Sequence, residues 1–246
     1  MDNDVRRIYG IGLKKANDLK TQYNIRTIDA LHKYVRKIPD IVTDAQKLGL
    51  KYHAHINRRI TRSSANKHVK VIKSILPNAI IAGSVRREET KIGDIDVLIH
   101  TNLKNAVFKL MEKKYIVAVL AQGVEKFSGV ARLPGTNSYR RIDIIKTTPE
   151  QKAFALLYFT GDFVQNISMR QKAKVQRYSL SQNGLINLKT GKEVKGLKTE
   201  KDIFKYLNIP YKPPNARSHK GKENKELTKL IKKKGIRKPR SIKRKK

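Results

Sequence analysis

The spacing of apolar positions changes along this chain, and those changes predict its elements. Residues 1–60 read as short helices. Over 63–76 the apolar residues Val69, Val71, Ile72, Ile75 and Leu76 recur at helical spacing, which predicts an amphipathic helix. Pro77-Asn78 ends it. The apolar run Ala79-Ile80-Ile81-Ala82 predicts a buried strand leading into Gly83-Ser84, a tight turn that opens a short helix. Asp94-Ile95-Asp96-Val97 then alternates with a period of two, starting another strand with both aspartates on one face. Residues 103–114 predict a helix packed on the sheet. Residues 115–120, 126–133 and 138–146 predict three more strands, the last two joined by Pro134-Gly135-Thr136-Asn137. Thr148-Pro149-Glu150-Gln151 has an N-cap, a proline at the first helical position and a capping-box glutamine. That helix runs to Thr160-Gly161, and Asp162 caps a second over about 163–174. Residues 178–186 and 192–195 suggest short strands, and Thr199 caps a helix over 199–207.

The chemistry concentrates between Gly83 and Ile99. Two carboxylates side by side on a strand repel, and a divalent cation with hard oxygen ligands relieves that repulsion. Gly83-Ser84 offers backbone N–H groups and a hydroxyl suited to a phosphate, with Arg86 and Arg87 adding positive charge. Asp143, in the apolar strand Arg140-Arg141-Ile142-Asp143-Ile144-Ile145, is the candidate third carboxylate; it shares a face with Arg141 and Ile145. Three carboxylates can hold two Mg²⁺ about 3.5–4 Å apart for in-line displacement at phosphorus. Asp-x-Asp by itself suits a solvated strand edge equally well. Nearer the N-terminus, Tyr9-Gly10-Ile11-Gly12-Leu13 makes an apolar-Gly-apolar-Gly turn. Its glycines let backbone approach a phosphate closely, although Gly-x-Gly also makes ordinary turns.

Charge narrows the class of partner. The 246 residues carry a net charge of +36, which points to a polyanion such as nucleic acid. Packaging proteins are as basic, so charge alone does not imply an enzyme. The chain has no cysteine, which excludes disulfides and Cys-type zinc sites. It contains no apolar run of eighteen residues and does not begin as a secretory signal, so the expected setting is intracellular with no membrane partner. From Ser218 onward the net charge is +12, which predicts a disordered basic tail serving as DNA anchorage or as a nuclear import signal.

The ordered set Gly83-Ser84-x-Arg86-Arg87, Gly93-Asp94-x-Asp96-Val97-Leu98, Arg141-Ile142-Asp143 and Tyr158-Phe159-Thr160-Gly161 resembles the family X DNA polymerases, over about 5–217. The resemblance implies that Asp94, Asp96 and Asp143 are the catalytic metal ligands, holding two Mg²⁺ or Mn²⁺. It implies nucleotide contacts from Arg59, Ser84, Arg87, Gly93, Tyr158, Phe159, Gly161, Phe163 and Asn166. Tyr158 and Phe159 would line the sugar pocket and leave no room for a ribose 2′-hydroxyl; without the other motifs they would read as aromatic core. Arg59 would otherwise be a solvated basic helix end. Asn166 and Arg170, four apart on one helix face, would touch the minor-groove edge and the template. DNA contacts are implied for Gly10, Gly12, Lys51, Arg141 and Arg170. A monovalent cation, Na⁺ or K⁺, would be held by the backbone of Arg6, Ile8 and Ile11. Two positions depart from the family pattern: Phe163 replaces an acidic residue and could stack on the incoming base, and Ile92 replaces a small polar residue near the triphosphate. Many members begin with an extra domain carrying a lyase lysine; this sequence opens at the hairpin and offers no such assignment.

The expected fold is α+β. A helix-hairpin-helix DNA-binding segment (1–76) precedes a nucleotidyltransferase palm with a mixed β-sheet (77–147). A helical and β subdomain that checks nucleotide and base pair (148–217) and the basic tail (218–246) follow. The expected function is template-directed addition of dNTPs to a primer 3′-hydroxyl, filling short gaps in DNA repair as a monomer on gapped or primer-template DNA. The setting would be nuclear or that of a large DNA virus. The alternatives are a template-independent terminal nucleotidyltransferase, disfavoured because no long loop interrupts the palm strands, and a catalytically inert basic DNA-binding protein.

Overall fold

A five-stranded sheet positions everything else in the computed structural model, which describes residues 4–217. The basic tail expected from Ser218 lies outside those residues. Before the sheet come a 3₁₀ turn, Val5–Arg7, and four helices: α1 (Leu13–Tyr23), α2 (Ile28–Lys37), α3 (Asp44–Lys51) and α4 (His53–Ile56). Each of α2 and α3 starts where a threonine hydroxyl accepts an orphan N–H: Ala30 N–H reaches Thr27 Oγ1 at 3.1 Å, and Gln46 N–H reaches Thr43 Oγ1 at 3.3 Å. Ile8, Ile11, Leu19, Ile25 and Leu31 form their separate buried core.

The palm follows as β1 (Ile60–Thr61), α5 (Arg62–Ile75), β2 (Ile80–Ile81), α6 (Gly83–Arg86), β3 (Lys91–Ile92), β4 (Asp94–Ile99), α7 (Leu103–Glu112), β5 (Ile116–Gln122), β6 (Lys126–Arg132) and β7 (Tyr139–Lys146). The sheet order is β2-β4-β7-β6-β5; β4 and β7 run parallel and all other neighbours antiparallel, which is the expected mixed sheet. α5, which the sequence grouped with the hairpin segment, buries Ala65 and Ile72 in the sheet's own core against Ile95, Val97, Phe127 and Ile144. The predicted four-residue buried strand at 79–82 pairs at only two residues, Ile80 and Ile81, both half-buried. It is the sheet's edge, and the chain turns immediately into Gly83 once Ala82 N–H has donated to the Asp96 carbonyl at 2.9 Å.

The last subdomain comprises α8 (Lys152–Thr160), α9 (Phe163–Val175), β8 (Tyr178–Leu180), β9 (Leu185–Asn187), α10 (Glu200–Tyr206) and a 3₁₀ turn, Pro214–Arg217. The Thr148/Gln151 capping box forms, yet α8 begins only at Lys152 because Lys152 N–H closes a tight i→i+3 turn onto the Pro149 carbonyl. The single strand expected over 178–186 is instead a hairpin, reversed at Ser181-Gln182-Asn183-Gly184, where Ser181 N–H donates to the Gly184 carbonyl. The strand expected over 192–195 is reduced to one bridge between Ile186 and Glu193.

His68 on α5 is fully buried, with Nδ1 2.8 Å from the hydroxyl of Tyr115, itself buried. Burial first, then the Arg140 charge, lowers the His68 pKa to about 4. The unfolded chain therefore binds more protons than the folded one between about pH 6.5 and 4, so this group's stabilisation is present above that window and is lost as pH falls through it. We expect His68→Gln to remove a loss on the order of 2–3 kcal/mol across the window. Urea denaturation at pH 7 and pH 4.5 checks it; parallel losses in parent and variant would refute it.

Candidate active site

Parallel register brings the acidic strands together. Asp96 on β4 lies opposite Asp143 on β7, and Asp94 lies opposite Arg141. Asp143 is 7% exposed; Ser128 Oγ on the other neighbouring strand donates to its Oδ1 at 2.7 Å, and Lys126 Nζ sits 3.2 Å from Oδ2. Burial first, and then the neighbouring Asp143 charge, pushes the Asp96 carboxyl up to about 7, against the opposing effect of Lys126 and Arg87. Asp94 is drawn aside: the Arg141 guanidinium donates to its Oδ2. Among the described residues no three acidic or histidine side chains converge as a ready-made metal cage. Asp96 and Asp143 are the adjacent pair, and Asp94 is engaged by Arg141. Two neighbouring carboxylates, one with raised proton affinity, form the oxygen donor set that a hard divalent cation satisfies, so the residues fit such an ion.

The phosphate turn abuts this pair. Gly83 adopts φ +60°, and a Cβ there would lie 2.0 Å from Asp96 Oδ2, so only glycine fits. Ser84 Oγ is buried with no hydrogen-bond partner among the described residues. Arg87 donates from NH1 to the Thr160 carbonyl at 2.7 Å, and its Nε is 3.7 Å from Glu89 Oε1. Arg86, expected beside it as a phosphate charge, is turned elsewhere: it binds Glu200 through both guanidinium nitrogens and Thr160 Oγ1 at 2.6 Å. A buried carboxylate outcompetes solvent for its planar fork. A Cβ on Gly93 would meet open space. Arg59 is exposed and donates to the Lys91 carbonyl at 3.3 Å, beside the β1–β3 pair. Ile92, expected to depart from the family pattern, is fully buried opposite Ile60, and its side chain packs in the core.

At the α8–α9 junction, Tyr158 lines a cleft together with Asn166 and Arg170. The Phe159 ring stands edge-on to Tyr158 at 5.1 Å and packs toward Ala82, Leu98 and Ile145 of the palm. Asn166 Nδ2 donates to the Tyr158 carbonyl at 2.7 Å, and a Cβ on Gly161 would collide with Asn166 at 2.5 Å. Asn166 thus holds the turn as well as facing the cleft. Phe163 packs with Val164 around Ile167 and is not part of the cleft lining.

In the hairpin segment Gly10 adopts φ +81°, and its carbonyl accepts from Gln46 Nε2 at 3.0 Å. Gly12 and Lys51 are exposed, with Lys51 Nζ 5.3 Å from the Tyr52 ring centroid. Arg6, Ile8 and Ile11 lie along one turn in which Ile11 N–H donates to the Ile8 carbonyl at 3.2 Å. Rings join this segment to the palm, with Tyr52 and Tyr139 centroids 4.9 Å apart.

Sequence reading missed Lys126, Ser128, Glu200 and Arg217. Lys126 and Ser128 were findable in principle: two apart on a strand, they share a face, and strand pairing sets Ser128 opposite Asp143. Glu200 and Arg217 carry no local signal.

The fold and sequence also resemble known proteins. The family description DNA polymerase beta palm matches residues 57–150, and DNA polymerase beta thumb matches 155–218. The repair DNA polymerase X of African swine fever virus is 30% identical over 166 residues, covering 66% of this chain and 94% of that protein. The chain belongs to the family X DNA polymerases. DNA polymerase lambda of Rattus norvegicus is 32% identical over 220 residues, 76% of this chain. The chain spans only 38% of that protein's length, and 45% of its Arabidopsis thaliana counterpart. Among solved structures of the family, the Leishmania infantum polymerase beta ternary P/T complex superposes with a TM-score of 0.78 at 28% identity, covering 87% of this chain and 97% of that one. A ternary gap complex of the same protein also gives 0.78, at 27% identity. Family members in general use divalent metal ions.

Proposed function

We propose that this chain is a template-directed DNA polymerase that adds deoxynucleotides to a primer 3′-hydroxyl, filling short gaps during DNA repair. One observation carries the reading: the parallel β4–β7 register sets Asp96 opposite Asp143 directly against the Gly83 turn. Asp94, Asp96 and Asp143 would hold two Mg²⁺ or Mn²⁺, which, when bound, supply positive charge to the attacking hydroxyl and to the departing pyrophosphate. Lys126 and Ser128 orient the Asp143 carboxylate. Ser84, whose buried hydroxyl has no partner among the described residues, and the open backbone at Gly93 receive the triphosphate; Arg87 and Arg59 add charge. Tyr158, Phe159 and Gly161 wall the sugar, Asn166 and Arg170 face the new pair, and Phe163 flanks the base. Gly10, Gly12, Lys51 and Arg141 contact DNA, with a monovalent cation at the Arg6, Ile8 and Ile11 carbonyls. The protein would act as a monomer inside the cell, in the nucleus or in a viral setting like that of the swine fever relative.

Labelled dNTPs offered with a one-nucleotide gapped duplex, an open primer-template and a single strand test the reading. Template-matched addition on the first two is expected. Untemplated addition to the single strand would favour a terminal transferase, and no addition anywhere would leave an inert DNA-binding protein. Because the 158–161 turn walls the sugar, dNTPs should be preferred over rNTPs by at least about 10²-fold, near 2.7 kcal/mol of barrier difference. Equal incorporation would remove Tyr158 and Phe159 from that role.

A further inference from the structure

We propose that Tyr139 and Arg140 are positioning residues: they peg the hairpin segment to the strand that carries Asp143 and so fix how far a primer end reaches into the site. The primer half rests on the polymerase reading above; the docking half does not.

The hairpin segment has its own core, so its place on the palm depends on what joins the two. Tyr9, Tyr52 and Ile56 pack there against Leu120, Val130 and Tyr139 of the sheet. Two adjacent residues of β7 fasten this joint. The Tyr139 ring lies 4.9 Å from the Tyr52 ring and stands edge-on to the His55 ring at 5.0 Å. Arg140 is 4% exposed and donates from NH1 to the His55 carbonyl. α4 is a single turn, and a cation at its C-terminal end is favourably placed. One residue of β7 thus holds this stretch by its rings and the next holds it by its backbone.

The contacts continue to the glycine turn. Asn57, just past α4, donates from Nδ2 to the Arg7 carbonyl at 3.1 Å and to the His53 carbonyl at 2.9 Å. Gly49 on α3 lies so close to the turn that a Cβ would meet the Tyr9 carbonyl at 2.6 Å, and Gln46 on the same helix holds the Gly10 carbonyl. The Tyr9-Gly10-Ile11-Gly12 turn is therefore braced by α3, and the Tyr52–His55 stretch that follows α3 is braced by β7. Asp143 lies four residues beyond Tyr139 on β7, on the same face and about 13 Å along the strand. With the glycine turn holding the backbone of a primer duplex, the peg sets the distance from that grip to the carboxylates. Rate is steep in such a distance, since a misplacement of about 1 Å costs about 10²-fold. One DNA strand advances about 3.4 Å per nucleotide, so a hairpin that tilts by one such step presents the wrong part of the primer.

The test uses the full chain. The sequence has no cysteine, so Lys20→Cys on α1 and Lys109→Cys on α7, both exposed, take spin labels selectively. Double electron–electron resonance of the DNA-free protein should give a narrow hairpin-to-palm distance distribution in the labelled parent. It should be at least about twice as wide in Tyr139→Ala and in Arg140→Met, and narrow again in Tyr139→Phe, which keeps the ring. Arg140→Met leaves the ring contacts in place, so it remains informative if Tyr139→Ala fails to fold. Single-turnover addition is then measured at saturating DNA and dNTP on primer-templates of increasing duplex length. The parent should speed up at least tenfold once the duplex reaches the hairpin. Tyr139→Ala and Arg140→Met should lose most of that gain while matching the parent within threefold on the shortest duplex. Unchanged distance distributions overturn the peg. Broadened distributions with the parental gain, or a parent with no gain, overturn its role in placing the primer. A parent inactive on every duplex overturns the polymerase reading and the primer half together, while the distances still decide the docking half.

Discussion

Asp143→Ala is expected to slow single-turnover nucleotide addition by at least about 10³-fold, near 4 kcal/mol on the barrier, with affinity for gapped DNA changed less than about threefold. Asp143 is nearly buried on a central strand, and its carboxylate meets Ser128, Lys126 and the adjacent Asp96 rather than open solvent. It has no role in gripping a phosphate backbone, so the electrostatic part of DNA binding should survive its loss. Asp143→Asn separates charge from shape, because the amide oxygen can still accept from Ser128. The asparagine variant should fold and fail as completely as alanine. Rapid-quench addition on a gapped duplex, with binding measured by anisotropy, decides. Addition within tenfold of the parent in either variant would remove Asp143 from the chemistry.

Gly83→Ala should be nearly as damaging, for a different reason. An added Cβ would lie 2.0 Å from Asp96 Oδ2, at a backbone φ of +60° that disfavours any L side chain. Either the Asp96 carboxylate swings away from Asp143 or the start of α6 shifts and takes Ser84 with it. Both outcomes dismantle the site, and addition should fall by at least about 10²-fold, near 2.7 kcal/mol, with a lower Tm. Gly93→Ala is the matched contrast. Its Cβ meets nothing within 4 Å among the described residues, so Tm should not change. If phosphates approach that backbone, KM for dNTP should nevertheless rise. A Gly83→Ala enzyme with parental kcat and KM would contradict the close packing of turn and carboxylate.

The helices, the palm strands and the placement of the three aspartates on two of those strands were legible in the sequence because each is written locally. Alternation put Asp94 and Asp96 on one face of β4, and Thr27, Asp162 and Thr199 marked helix starts that the structure caps with those side chains. The 178–187 hairpin was misread because two three-residue strands are too short to establish a period, although Asn183-Gly184 between them is a turn signal. The engagement of Arg86, read only as nearby positive charge, was not legible because its partners, Thr160 and Glu200, lie 74 and 114 residues away. Lys126 was missed for the same reason: exposed lysines are the commonest background in this chain, and only strand pairing turns this one toward Asp143. The displacement of Asp94 toward Arg141 belongs to tertiary geometry alone.

The parallel pairing of β4 with β7 also governs how the chain is made. As β4 leaves the ribosome its finished neighbour is β2, two residues long, so the edge carrying Ile95, Val97 and Ile99 stays open. Its main partner, β7, begins only at Tyr139, after α7, β5 and β6 have been synthesised. Until then the strand that bears two of the acidic residues is an unpaired apolar edge, the kind that recruits other nascent chains. Parallel closure over such a separation is slow relative to hairpin formation, and β5, β6 and β7 can zip as a meander first. Alignment of Asp96 with Asp143 is then expected to be a late event of folding, because it waits for the whole of β5, β6 and β7.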